Sequence, residues 1–114
     1  MKKLKIIFLE EAIADLEDIW FYTFKKWSLE QADRYYNVMI EEIDFLSKKP
    51  KSGKDLSHLR PGYHSSKVKS HFIFYKFSTT ELEVVRILHE SMDIPNRLYN
   101  ATTATLGLDE SVAG

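Results

Sequence analysis

YHSSKVKSHFIFYKFSTTELEVVRIL, residues 63–88, holds three short runs with distinct chemistry. Tyr63 to Lys69 is polar and basic, His71 to Ser78 is aromatic, and Glu81 to Leu88 is rich in Val and Ile. Each is too short for a stable helix and has the β-branched and aromatic content of a strand. The Thr79-Thr80 pair predicts a tight connection that makes the last two runs a hairpin, and an antiparallel meander is the simplest topology for all three. On such a meander Ile73, Tyr75 and Phe77 share one face, and Val85 and Ile87 share a face of the next strand.

Outward from this segment the periodicity changes. Leu4 to Leu9 is a short Ile/Leu/Phe run expected to form a strand buried on both faces. Ala12, Leu16, Ile19, Trp20, Thr23 and Trp27 follow helical spacing, with Glu10 and Glu11 at the start and Lys25 and Lys26 at the end, where each sign suits the helix dipole. Ser28 with Gln31 reads as a capping box. Leu29, Ala32, Tyr36, Met39, Ile43 and Leu46 then recur in steps of three and four until Pro50. Almost nothing separates the two helices, so they are predicted to form an antiparallel hairpin. Lys51 to Gly62 is expected as a loop with a short helical turn at Asp55 to Leu59. Ile94 to Asn100 either extends the last strand or packs as a turn. The resulting fold class is α+β: an N-terminal strand, a two-helix hairpin, and a three-stranded meander giving one twisted sheet packed against the helices.

The chain has 114 residues and is 44% hydrophobic, which suits one domain over residues 1–100. Residues 101–114 contain no aromatic residue and are expected to be a flexible tail. The sequence has no cysteine, and its four histidines include no close pair, so neither a disulfide framework nor a metal site is expected. The N-terminal apolar run ends at Glu10, too short for a signal or membrane segment, and a cytoplasmic protein without membrane contacts is expected. A net charge of −1 hides a strong asymmetry. Glu10 to Ser47 has ten acidic and three basic residues, whereas Lys48 to Lys76 has eight basic residues against Asp55 alone. A local positive field of that kind steers anionic targets.

Phosphodiester cleavage needs cations to stabilise the transition state, a base and an acid. Arg60, Lys67, Lys69, Arg86 and His89 are the residues that could grip a polyanion or an acidic partner. For cleavage the candidate set is Lys67, Lys69, Arg86 and His89. Against that stands the plain reading of solvated strand lysines and an Arg86 paired with a carboxylate such as Glu83 or Asp93. Carboxylate pairs such as Glu41 and Glu42 lie at helical spacing and read as solvated faces. Tyr22, Phe24, Tyr35, Val38 and Phe45 fall off the main apolar stripes of the helices. A hairpin too apolar for its own core suggests a groove for a partner peptide.

Several stretches carry a family resemblance over roughly residues 4–98. These are Asp15-Leu16 and Ile19, Trp27 followed by Gln31-Ala32 and Tyr36, Pro50 with Gly53, Leu59-Arg60-Pro61-Gly62-Tyr63, His71-Phe72-Ile73-Phe74-Tyr75, and Arg86-Ile87-Leu88-His89-Glu90-Ser91-Met92-Asp93. Together they resemble a ParE-type toxin of the RelE/ParE superfamily, the closing segment being the most specific. The resemblance implies a bacterial type II toxin-antitoxin module, with a cognate ParD-like antitoxin whose C-terminal segment wraps the toxin, and no cofactor. For ParE-like members it implies DNA gyrase as the target, inhibited by direct binding. For RelE-like members it implies ribosome-bound mRNA, cut by an endonuclease. A toxin-like protein that keeps only antitoxin binding is a third possibility. RelE-like nucleases share a basic cluster on the central strands and a tyrosine near the C-terminus. Lys67, Lys69 and Arg86 keep part of that cluster, but His89 to Asp93 has no arginine and tyrosine pair, and Tyr99 lies beyond it.

Overall fold

A computed structural model describes residues 3–98, so the expected tail and the boundary at residue 100 lie outside the described residues. In chain order the elements are β1 (Lys5–Phe8), α1 (Glu10–Lys26), α2 (Leu29–Lys48), a 3-10 turn (Pro50–Ser52), β2 (Lys54–Asp55), β3 (His64–Val68), β4 (His71–Phe77) and β5 (Glu81–His89). Residues 94–98 are again helical. The sheet runs β1-β5-β4-β3-β2, with β1 parallel to β5 and every other pairing antiparallel.

The helix hairpin forms as its sequence dictates. Ser28 Oγ accepts a hydrogen bond from the Gln31 N–H at 3.1 Å, satisfying one of the free donors at the start of α2. Trp20 Nε1 donates to Asp33 Oδ1 at 2.9 Å and ties α1 to α2. Ala12 and Leu16 of α1, with Met39, Ile43 and Leu46 of α2, pack on Ile73, Tyr75, Leu82, Val84 and Ile87 of the sheet. Burial of each large aliphatic side chain there contributes on the order of 2 kcal/mol. Leu29, Tyr36 and Trp27 belong to the same sequence stripes yet are exposed.

The opposite face of the sheet is also covered. Leu56 and Tyr63, from the segment between β2 and β3, pack with Phe74, Val85, Leu88 and Leu98. The helical turn at 94–98 is therefore a lid on the second face, and it resolves the two expectations for that segment in favour of a packed turn.

Four expectations are corrected. β1 consists of mostly half-buried residues rather than being buried on both faces, and among the described residues it is an edge strand paired with β5 alone. The meander gains a two-residue edge strand, β2, where Lys54 and Asp55 face Ser65 and His64. The expected helical turn at Asp55 to Leu59 is present one residue further on, where the Leu59 and Arg60 N–H groups donate to the Leu56 carbonyl at 2.8 and 3.1 Å. Asp55 belongs to the strand, and its Oδ1 caps the turn by accepting from the Ser57 N–H at 2.7 Å and the Ser57 hydroxyl at 2.6 Å. Finally, Val85 and Ile87 do not share a face. A bulge sets Tyr75 opposite Val84 but Phe74 opposite Arg86, so Val85 is the extra residue and turns to the second cluster while Ile87 stays under the helices.

One buried tyrosine fixes the segment after α2. Tyr75, fully buried, donates its hydroxyl to the Pro50 carbonyl at 2.7 Å and accepts from the Gly53 N–H at 3.1 Å. Burial pushes its pKa up to about 12. A Cβ at residue 53 would lie 2.2 Å from that hydroxyl oxygen and 2.7 Å from the Ser65 carbonyl oxygen, so only glycine fits.

Candidate functional site

The structure sorts the predicted cations into different environments. Arg86 is claimed by α1: its Nε lies 2.8 Å from Asp15 Oδ2 and a terminal nitrogen 2.9 Å from Oδ1. Glu11 adds a carboxylate oxygen at 3.6 Å. The hydrogen bonds to Asp15 raise the Arg86 pKa further, so it is a permanent cation that is already neutralised. The partner is neither Glu83 nor Asp93, the carboxylates named from sequence. Arg60 lies in the turn that leads into the start of β3, where its carbonyl accepts from the Tyr63 N–H. That is the opposite end of β3 from Lys67.

The remaining candidates do come together, at the end of the sheet where β3 turns into β4 and β5 finishes. His71 stands opposite His89 in the strand register, with ring centroids 5.1 Å apart. The Tyr35 hydroxyl, from α2, lies 3.1 Å from the Val68 carbonyl and 2.7 Å from His71 Nδ1. Its one proton is assigned to the carbonyl, which makes His71 Nδ1–H the donor to the phenol oxygen. Burial, reinforced by neighbouring His89, lowers the His71 pKa to about 4, so this ring is neutral near pH 7. Burial likewise raises the Tyr35 pKa.

His89 Nδ1 accepts from the Ser91 N–H at 3.0 Å and lies 2.7 Å from the Ser91 hydroxyl. In its neutral form the ring therefore carries its proton on Nε2, and its single ring lone pair is occupied. Lys67 pairs with Glu90 at 2.9 Å and sits over the Phe72 ring, and that pairing lowers the Glu90 pKa. Lys69 occupies the turn at φ 53°, the left-handed region, which costs a residue with a side chain about 1–2 kcal/mol. Its side chain is exposed. The assembly offers surface charge and hydrogen-bonding groups, but not a free arginine beside a free base.

A second feature lies on the helices. Phe8, Ile13, Trp20, Phe21, Tyr36 and Ile40 line a groove of about 440 Å³ between α1, α2 and the β1 edge, rimmed by Glu17 and Asp33. Phe24 stacks on Trp20 at 5.3 Å, and Phe21 meets it edge-on at 5.4 Å. Of the five residues expected from sequence to meet a partner, Tyr22, Phe24 and Phe45 are exposed. Tyr35 and Val38 instead pack inward against the main core. Of the groove lining, Trp20 and Tyr36 lie on the helical core stripes, and Ile13, Phe21 and Ile40 lie off them. The available signal was an apolar surface on both sides of the hairpin.

The strand, helix hairpin and five-stranded sheet are the architecture of RelE/ParE-type toxins. The chromosomal ParDE toxin-antitoxin system from P. aeruginosa superposes with a TM-score of 0.67 at 17% identity, covering 76% of this chain and 96% of that one. The RelBE2 toxin-antitoxin complex from Mycobacterium tuberculosis gives 0.62 at 20% identity, covering 81% and 97%. In sequence, residues 6–94 match the family described as the ParE toxin of the type II toxin-antitoxin system, parDE. Toxin ParE1 of Mycobacterium tuberculosis is 35% identical over 88 residues, covering 76% of this chain and 90% of that protein. The chain belongs to the ParE toxin family.

Proposed function

We propose that this ParE-family toxin acts by binding DNA gyrase rather than by cutting RNA, and that a cognate antitoxin neutralises it through the helix-hairpin groove. The observation that carries the first part is the capture of Arg86 by Asp15. A cleavage site needs a cation free to meet the phosphate and a base with a free lone pair. The Arg86 charge is spent within the fold, and the His89 lone pair is taken by Ser91. What the sheet end retains is exposed charge at Lys69 and the Lys67–Glu90 pair, suited to contact with another macromolecule.

The second part rests on the groove. Aromatic walls with an acidic rim fit an amphipathic segment that presents apolar side chains flanked by cations. A complete toxin with a purified antitoxin provides the test. Gyrase supercoiling should stop as toxin is added, with cleaved DNA accumulating, and the antitoxin should restore it. Undiminished supercoiling at large toxin excess, or codon-located cuts in a translated message, would refute the gyrase reading.

A further inference from the structure

The α2 C-terminus and the following turn hold Lys48, Lys49, Lys51 and Lys54 within seven residues of sequence. Lys48 is engaged, since it shares Asp44 with Lys3. That sharing lowers the Asp44 pKa, and Asp55 is held by Ser57. Asp44 is thus shared by two other cations and Asp55 is oriented by Ser57, while Lys49, Lys51 and Lys54 are exposed and make no ion pair among the described residues. A lysine in the last turn of α2 offsets the helix dipole, and a lysine on a short edge strand discourages edge pairing. Neither effect calls for Lys51, which belongs to neither element.

The backbone bearing these cations is tied by hydrogen bonds at both ends. The buried Tyr75 hydroxyl holds Pro50 and Gly53 at the two ends of the turn, and the Ser52 hydroxyl donates to the Lys49 carbonyl at 2.7 Å. Three exposed cations without an ion-pair partner among the described residues, on a turn tied to the core, suit contact with an anionic partner. We infer that Lys49, Lys51 and Lys54 form a contact for the phosphate backbone of nucleic acid, duplex DNA in particular. Residues 49–55 include no aromatic side chain, and Phe45, exposed one turn earlier in α2, is a single ring rather than the row of stacking platforms that a single strand uses, which favours a duplex. Lysines without a planar fork read charge and not sequence, so the contact is sequence-independent. It is separate from the sheet end and does not depend on gyrase being the target.

Fluorescence anisotropy of the full chain with a labelled duplex of about 20 base pairs tests it. If each of the three lysines neutralises one phosphate, log K falls with log salt at a slope of about −2.7, an affinity loss of about 40-fold between 50 and 200 mM. The Lys49→Gln/Lys51→Gln/Lys54→Gln variant should lose most of that slope, whereas Lys25→Gln/Lys26→Gln should keep it. An unchanged slope in the triple variant, or no duplex binding at 50 mM salt, overturns the inference. So does equal affinity for a single-stranded RNA or a polyglutamate of matched charge.

Discussion

The guanidinium of Arg86 and the carboxylate of Asp15 join β5 to α1 in a two-pronged ion pair, each side chain only about one-eighth exposed (13% and 12%). Asp15 Oδ2 also accepts the Ile87 N–H at 2.9 Å, so the carboxylate serves a charge and a backbone donor together. Asp15→Ala would leave the Ile87 N–H without its acceptor and Arg86 with only the longer Glu11 contact, and a loss of about 2–4 kcal/mol in urea unfolding is expected. Asp15→Leu with Arg86→Met should recover only the part that comes from the Arg86 charge, because the Ile87 N–H still lacks its acceptor. A loss below about 0.5 kcal/mol in the single variant would show that the pair is not structural.

Gly53 and Tyr75 make a second paired prediction. Gly53→Ala drives a methyl group into the Tyr75 hydroxyl and the Ser65 carbonyl, and should cost about 2–3 kcal/mol. Tyr75→Phe leaves the Gly53 N–H without its partner and should cost about 1–3 kcal/mol. Chemical denaturation of each reads these losses, and a Gly53→Ala variant as stable as the parent would refute the close approach.

His71 predicts a pH dependence with a definite sign. Its pKa falls from 6.5 to about 4 on folding, so between those values the unfolded chain binds the extra proton. Stability should therefore drop as pH falls from about 6.5 to about 4, by on the order of 1–3 kcal/mol after allowing for partial exposure. His71→Phe should flatten that window. Tyr35, His89, Asp15 and Glu90 set the environment of the ring, and the last two oppose the shift. A stability curve of the same slope with and without the imidazole would assign the acid sensitivity elsewhere.

Phe21 is 57% exposed on the groove wall. Phe21→Ala should leave unfolding within about 0.5 kcal/mol of the parent yet weaken antitoxin binding by roughly 30-fold or more, as expected for an aromatic anchor. Titration calorimetry with the purified antitoxin measures the second quantity. Unaltered affinity would place the antitoxin on another surface.

Local signals in the sequence map directly onto the structure where the physics is local. The Ser28 cap, the Ala32/Met39/Ile43/Leu46 stripe and the Thr79-Thr80 hairpin depend on residues a few positions apart. The Arg86 partner depended on a carboxylate 71 positions away, which periodicity cannot reveal. The facing of His71 and His89 was hidden by the bulge. Counting back from the Thr79-Thr80 turn puts Leu88 opposite His71, and the extra residue at Val85 moves His89 into that place. Two adjacent valines give no hint of which one is extra. β2, with two residues, is too short to have a period. Tyr35 and Val38 lie beside the main stripe and pack on the main core, and Tyr35 is held there by the Val68 carbonyl at the β3–β4 turn, so its burial is decided by a neighbour distant in sequence.

The parallel pairing of β1 with β5 has a consequence for how the protein is made. Lys5 stands opposite Glu81 and Phe8 opposite Val84, so the first strand waits for almost the whole domain before it meets β5, its one partner strand among the described residues. The helix hairpin can close from local contacts as it emerges from the ribosome, but the sheet cannot be completed until β5 has been released. The Arg86–Asp15 link forms at the same late step, because β5 supplies the arginine. A nascent chain therefore acquires its finished sheet end only after synthesis has passed residue 89, and the groove between α1, α2 and β1 takes its final wall at that moment as well.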